Sequence, residues 1–243
     1  MPRFYLEGAI GVGETLSLPD DVVRHMHVLR LREGDEVVLF NGQSGEYAAK
    51  LVLLEKREAL AQVGAFHPVS RESPLWLGLA QGISSGDRME FTLQKGVEMG
   101  VNVFQPLAME RSVVKLAAER ADKRVARWRD IVRSACEQCG RNLLPEVRPI
   151  MGMREWLEHS RGIGSRLVLS PYGDRTLSQQ AKPEDGRLWL MAGPEGGFAP
   201  SEEQAAFDAG WQPLKLGPRV LRTETAALAA VAALQTVWGD YTT

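Results

Sequence analysis

Cysteine is nearly absent from this chain: Cys136 and Cys139 are the only two in 243 residues. Two thiols cannot build the disulfide framework of a small secreted domain. They spell C-x-x-C, but a zinc site needs two further ligands, and no second cysteine or histidine pair has suitable spacing. Both lie on or beside the apolar stripe of a helical pattern and read as small buried hydrophobes. No apolar run approaches the twenty or so residues of a membrane span. The start, Met1-Pro2-Arg3-Phe4-Tyr5, lacks a signal peptide's apolar stretch, and the expected location is the cytoplasm, with no membrane. Net charge is only -2, so the chain is no polycation. G-x-G-x-x-G after the first strand, G-x-x-x-x-G-K-[ST] and H-E-x-x-H are all missing, which leaves a Rossmann dinucleotide site, a P-loop and a zincin unsupported. His25 and His27 stand two apart, a spacing that splays them on a helix, and no metal site is expected.

What is present is an ordinary globular balance, 44% hydrophobic and 25% charged. The first seventy residues read mostly as strand: Arg3–Leu6, Glu36–Phe40, Glu46–Leu54 and Leu60–Phe66, with Asn41-Gly42-Gln43-Ser44-Gly45 as a hairpin signal and one helix over Pro19–Leu31. A small β-barrel over residues 1–70 is the economical expectation. His67–Pro74 is a polar, proline-bracketed linker. From residue 75 to 243 strands alternate with helices. Leu75–Ala80, Val103–Ala108, Arg166–Ser170, Arg187–Ala192 and Pro213–Leu216 read as strands; Arg88–Met99, Arg120–Gly140 and Thr223–Trp238 read as helices, and Ser201-Glu202-Glu203-Gln204 as a capping box that starts another. Such βα alternation implies an α/β domain with a mostly parallel sheet. In Arg120–Gly140 the apolar positions Ala121, Val125, Trp128, Val132, Ala135 and Cys139 recur at steps of four and three. Arg120, Lys123, Arg124 and Arg127 fall off that stripe. From Arg111 to Arg148 ten basic residues, Lys115 among them, stand against five acidic ones. A local basic surface on a near-neutral protein can attract a phosphate backbone, or serve only as a solvated helix face.

Two stretches carry more than secondary structure. Leu190-Met191-Ala192-Gly193-Pro194-Glu195-Gly196-Gly197-Phe198 is a strand end with three glycines in five residues. Glycine allows unusual φ and lets a ligand approach the backbone, and ligands of open α/β sheets bind beyond strand carboxyl ends. Leu216-Gly217-Pro218-Arg219-Val220-Leu221-Arg222-Thr223-Glu224-Thr225-Ala226 repeats the grammar, with Thr223 as a candidate N-cap. A third string, Gly82-Ile83-Ser84-Ser85-Gly86, spells a nucleophile elbow, but the only downstream histidine is His159, in a charged segment; a strand-to-helix loop is the better reading.

These segments together resemble the SPOUT group that methylates uridine N3 in 16S ribosomal RNA. The resemblance rests on A-G-P-E-G-G-F at 192–198, L-G-P-R-V-L-R-T-E-T-A at 216–226, His27–Asp35 as H-x-L-R-x-x-x-G-D, Lys95–Gly100 as K-x-x-E-L-G with Met99 for Leu, Glu110-Arg111-Ser112, and Glu137–Arg141 as E-Q-x-x-R. It implies a SPOUT-type, trefoil-knotted, parallel-sheet methyltransferase domain over 75–243, preceded by a PUA-like RNA-binding barrel over 1–70. It implies S-adenosyl-L-methionine as cofactor, 16S rRNA of the small ribosomal subunit as substrate, and a homodimer. By the same resemblance Met191, Ala192, Gly193, Gly197, Leu216, Gly217, Val220 and Leu221 belong to the cofactor pocket. Arg222 and Glu195 belong to the reacting end, and Arg111, Lys123, Arg124, Arg127, Gln138 and Arg141 face RNA. The competing readings are another SPOUT enzyme, acting on tRNA or a ribose hydroxyl, and a non-catalytic RNA-binding module.

Overall fold

The computed structural model describes residues 1–112 and 118–242; Lys115 of the basic window lies outside them. Two compact units result: Met1–Glu72 with Cys136–Leu144, and Ser73–Ala135 with Pro145–Thr243. The first unit is therefore not one continuous stretch, as the linker at 67–74 suggests, because a second segment returns to it.

In that unit β1 (Arg3–Tyr5), β2 (Thr15–Ser17), β3 (Glu36–Phe40), β4 (Glu46–Leu54) and β5 (Ala59–His67) form a five-stranded sheet in the order β1-β3-β4-β5-β2, antiparallel except for β1 on β3. Helix α1 (Asp20–Val28) turns Val22, Val23 and Met26 onto a core of Phe4, Val37, Leu39 and Leu51. The helix stops before the expected Leu31 because Arg30 takes a left-handed φ of 58°, which no helix continues through. The H-x-L-R-x-x-x-G-D segment proves to be this turn. Arg32 N–H donates to Asp35 Oδ2 at 2.8 Å, and Gly34 supplies a φ of 92°. His25 meets Phe4 edge-on and His27 Nε2 lies 2.9 Å from the Glu55 carbonyl.

The returning segment explains the E-Q-x-x-R motif. Glu137 accepts from the Tyr5 amide at 3.0 Å; Asn142 accepts from Arg3 at 2.6 Å and donates to the Val69 carbonyl at 2.9 Å. Arg141 is buried, 4% exposed, and grips Glu72 with two nitrogens, Nε to Oε1 at 3.0 Å and Nη2 to Oε2. The assignment of Arg141 to RNA is thus corrected: a guanidinium withdrawn from water and committed to a carboxylate staples the unit and meets no phosphate. Gln138, by contrast, is exposed.

Glu46 sits at the centre of the same cluster, between Arg3 (2.5 Å) and Arg71 (3.0 Å). Burial alone pushes its carboxyl up, but hydrogen bonds from Arg71, Arg3 and Asn142 together outweigh it and bring the pKa from 4.5 to about 2. Because the folded value is the lower one, the stabilisation is full above 4.5 and drains away as pH falls toward 2. Its size is on the order of 3 kcal/mol at neutral pH. Glu46→Gln is expected to lower unfolding free energy by up to about that amount at pH 7, and by far less at pH 2.5, in parallel urea melts. An equal loss at both pH values would contradict the ionic account.

The second unit is built on a seven-stranded parallel sheet. It comprises β6 (Trp76–Gly82), β7 (Val101–Ala108), β8 (Glu146–Val147), β9 (Met151–Gly152), β10 (Ser165–Leu169), β11 (Arg187–Ala192) and β12 (Gln212–Leu214), in the order β12-β10-β11-β6-β7-β8 with β9 also on β7. The α/β expectation holds. β11 reads Arg-Leu-Trp-Leu-Met-Ala and is buried from Leu188 onward, as a strand covered on both faces must be. On one face Trp189, Met191, Ala80 and Val168 pack with Trp156 of α4 (Met153–His159) and with Ala206 of α5 (Pro200–Asp208). Elsewhere α2 (Gly86–Glu98) and α6 (Thr223–Trp238) pack together, and Gly96 sits so close that a Cβ would lie 2.8 Å from the Phe104 ring. In α3 (Ala118–Cys139) Val125, Trp128, Val132 and Ala135 are buried while Arg120, Lys123 and Arg127 are exposed, as the stripe predicts.

The structure moves two caps. The box that starts α5 has Ala199 as N-cap, two residues ahead of the expected Ser201, its amide donating to Glu202 Oε2 at 3.0 Å; Pro200 occupies the first helical position. At α6 the N-cap is Arg222, with no side-chain bond, and Thr223 lies inside the helix. Among the described residues no helix is long and apolar enough to cross a membrane.

Candidate active site

Strands β10, β11 and β12 are neighbours, so their carboxyl ends open side by side. There the segments 169–172, 192–198 and 214–223 enclose a cavity of about 340 Å³, within the range of small-molecule sites and where open α/β sheets hold ligands. Ala192, Gly193, Glu195, Gly197, Leu216, Gly217, Val220, Leu221 and Arg222 all line it. Met191 does not: its side chain is wholly buried in the tryptophan-rich core. Arg111, assigned from the sequence to RNA, is also at the cavity wall.

The glycine loop is shaped by three constraints. Gly197 closes a turn, its amide donating to the Pro194 carbonyl at 2.9 Å, with φ at 68°. A Cβ on Gly196 would lie 2.8 Å from the Arg111 Cβ, and Arg111 Nη1 donates to the carbonyls of Gly196 (3.2 Å) and Phe198 (3.1 Å). Arg111 therefore braces the loop with one nitrogen. At Gly197 and Gly217 an added Cβ meets no protein atom within 4 Å, so these glycines border open space.

Thr223 does what a cap does not. Its hydroxyl donates to the Gly193 carbonyl at 2.6 Å and accepts from Gln81 Nε2 at 3.0 Å; the same amide reaches the carbonyls of Gly193 (3.2 Å) and Gly82 (3.0 Å). Gln81 is 1% exposed. The ends of β6 and β11 and the start of α6 are thereby tied at one point. Thr223→Val, equal in shape, removes the hydroxyl and takes from the Gly193 carbonyl its shortest hydrogen bond, while Gln81 keeps the two carbonyls; the loss costs about 0.5–1.5 kcal/mol. Its expected result is ligand affinity weakened by up to roughly tenfold, with Thr223→Ser near wild type, in calorimetric titrations. Equal loss in both variants would point to the methyl group instead.

Glu195 faces the cavity but its carboxylate is engaged. Oε1 accepts from the Ser85 hydroxyl, from the Ser85 amide at 3.1 Å and from Arg88 Nη1 at 2.8 Å. The Ser85 hydroxyl bond foremost, then its amide and Arg88, hold the pKa below the ordinary carboxylate value against burial. These three bonds to one oxygen fix Glu195 and its loop against the start of α2. The Gly82–Gly86 string supplies Ser85 for this purpose. Ser84, 2% exposed, turns its hydroxyl to the Gly82 carbonyl, and no triad forms. Glu224 lies 4.0 Å from Arg88 rather than pairing with Arg222. Among the described residues the exposed Arg222 guanidinium makes no hydrogen bond or ion pair.

Sequence reasoning missed the third wall, Leu169-Ser170-Pro171, with the exposed Tyr172 at its rim. The signal was there: a strand end running into Ser-Pro-Tyr-Gly, the same grammar as the other two.

A family model described as an RNA methyltransferase domain matches residues 71–235, and one described as an RNA methyltransferase PUA domain matches residues 18–64. The chain belongs to the RNA methyltransferase family. Within that family it is 32% identical to ribosomal RNA small subunit methyltransferase E of Buchnera aphidicola, over 99% of this chain and 95% of that protein. A crystal structure of ribosomal RNA small subunit methyltransferase E from Neisseria gonorrhoeae, bound to S-adenosyl methionine, superposes with a TM-score of 0.93 at 49% identity, covering 99% of both chains. A Legionella pneumophila structure in complex with its bound cofactor SAM superposes at 0.94 with 38% identity, covering 98% of both. A PUA domain followed by an RNA methyltransferase domain is the order the resemblance implies.

Proposed function

We propose that this chain transfers a methyl group from S-adenosylmethionine to N3 of a uridine in 16S ribosomal RNA of the small subunit, as a cytoplasmic homodimer. The observation that carries the reading is the cavity at three adjacent strand ends, bordered by open glycines and by an arginine with no partner among the described residues. The cofactor-bound relatives and the name of the Buchnera and Neisseria proteins support it.

The residues present fit the cofactor. Gly197 and Gly217 leave space at the wall, Leu216 and Leu221 offer apolar surface to an adenine, and main-chain groups of 192–193 and 216–221 can meet its edge. When bound, the cofactor supplies a sulfonium-activated methyl group. The chain has little covalent work to do, and positioning carries much of the rate. Uridine N3 must lose its proton to attack, and the Arg222 charge, permanent at any working pH, favours the resulting anion. Ser85 and Arg88 hold Glu195, and Thr223 and Gln81 hold Gly193, so that the loop keeps its shape.

For RNA, α3 offers Arg120, Lys123 and Arg124 toward phosphates. Arg127 stands on the same helix but is matched by Glu90, Nε to Oε1 at 2.5 Å and Nη2 to Oε2 at 2.9 Å, so it contributes less net charge. Gln138 remains a candidate contact. The exposed Phe91 and Val237, on the paired helices α2 and α6, supply apolar surface for a second copy.

The test is methylation of unmodified small subunits by the purified protein with S-adenosylmethionine, followed by primer extension. Methylation at N3 blocks base pairing, so one new stop at a 16S uridine is expected. Incorporation without a stop, as for a ribose hydroxyl, or incorporation into tRNA instead, would overturn the reading.

A further inference from the structure

The walls of the cavity are accounted for by the cofactor, but its rim is not. Tyr172 exposes 88% of its surface and Val220 87%, both on segments that line the cavity. Side chains of this kind left in water forgo the stabilisation that burial would give. The Tyr172 turn is firmly seated. Its amide donates to Ser170 Oγ at 3.2 Å, the Gly173 amide donates to the Ser170 carbonyl at 3.3 Å, and a Cβ on Gly173 would stand 3.0 Å from the Pro213 Cβ. An aromatic ring is thus presented on a fixed base.

The charges of the same rim are one-sided. Arg219 and Arg222 are exposed, and neither has a hydrogen bond or ion pair among the described residues. Arg111 commits one nitrogen to the glycine loop. Of the two carboxylates at the cavity, Glu195 is already matched by Arg88, which leaves Glu203. The rim therefore suits a polyanion better than a second copy of the same cationic rim. An exposed ring beside free guanidinium groups is the composition that receives single-stranded RNA, the ring stacking on an unstacked base and the cation meeting its phosphate.

We propose that Tyr172 and Arg219 form a nucleotide clamp, in which the Tyr172 ring stacks on a splayed base of the RNA substrate and Arg219 binds a phosphate of the same strand. The clamp rests on the RNA-methyltransferase reading. It gives that site a means of holding a base out of its stack at the mouth of the cofactor cavity.

The experiment uses the full chain as wild type, Tyr172→Ala, Tyr172→Phe and Arg219→Ala. The probe is a uridine-containing single-stranded RNA decamer, with S-adenosylmethionine titration and sedimentation on the same samples. Tyr172→Ala is expected to weaken RNA binding by a factor on the order of 10–100, and Tyr172→Phe to stay within about twofold of wild type. Arg219→Ala should weaken binding and flatten its salt slope by about 0.7, the share of one single-strand phosphate contact. Cofactor affinity and oligomeric state should be those of wild type. Unchanged RNA binding by Tyr172→Ala, in a wild type that methylates, sinks the clamp and leaves the methyltransferase reading standing. A wild type that neither binds S-adenosylmethionine nor methylates sinks both. Loss of cofactor binding would make Tyr172 a pocket wall, and dissociation of a dimer would make it a subunit contact; either overturns the clamp. A Tyr172→Phe loss equal to that of Tyr172→Ala would overturn stacking in favour of the hydroxyl.

Discussion

Arg222→Ala is expected to slow single-turnover methylation by a factor on the order of 10²–10³, the usual cost of losing one donor aimed at developing charge, while the melting temperature hardly moves. The contrast follows from what Arg222 does and does not touch. It is the N-cap of α6, yet it caps by backbone alone, and the first helical bond, Ala226 amide to Arg222 carbonyl at 2.8 Å, survives truncation. Glu224, its near neighbour, lies toward Arg88, so no ion pair with Arg222 is lost. The guanidinium lines the cavity and has no other protein partner among the described residues. Its free energy is therefore available to the substrate rather than to folding. Arg222→Lys should recover only part of the rate, because an ammonium lacks the planar fork that spreads charge over a delocalised anion. Turnover within a few-fold of wild type would remove Arg222 from the chemistry. A collapse in melting would make the loss of activity structural.

The strand ends at Gly197 and Gly217 were readable in the sequence because the requirement there is a backbone one. A positive φ at Gly197 or Gly217, and a gap that any Cβ would fill, leave glycine as the residue and the position after a strand as the place. Long apolar strands and the period of α3 were readable for a similar reason: burial repeats along the chain. What was not readable depends on partners far away. Thr223 looks like a cap until Gln81, 142 residues earlier, is brought to its hydroxyl. Arg141 looks like a free cation until Glu72, 69 residues earlier, takes it out of water. Glu195 carries the charge of a reacting group, and only the fold shows that Ser85 and Arg88 have claimed it. The short elements escaped because three residues at Thr15–Ser17, or two at Glu146–Val147 and Met151–Gly152, are too few to show any period. Tyr172 went unread although its segment ends a strand as the others do; Ser-Pro-Tyr-Gly is not among the segments that carry the family resemblance.

Gly197→Val is expected to abolish measurable S-adenosylmethionine binding, a loss of at least about 100-fold, while the Met1–Glu72 unit keeps its fold. Two causes are separable. The φ of 68° puts a β-branched residue in a left-handed conformation that costs roughly 1–3 kcal/mol, enough to disturb the turn closed by the Pro194 carbonyl. A clash with protein backbone is not among them: a Cβ at Gly197 meets nothing within 4 Å. The space beyond belongs to the cavity. If the ligand fills that space, relieving the strain should not restore binding. Gly197→Asn makes the distinction, since asparagine tolerates the left-handed region while still projecting a side chain into the cavity. The expected result is that both variants melt as folded proteins and neither binds the cofactor by calorimetry. Binding restored in Gly197→Asn would assign the defect to backbone strain alone, and normal binding in a folded Gly197→Val would place the cofactor elsewhere. The unit around Glu46 and Arg141 has its own core and ion cluster, so its unfolding transition should be unaltered in either variant, and a shift there would mean that the substitution acts through global destabilisation.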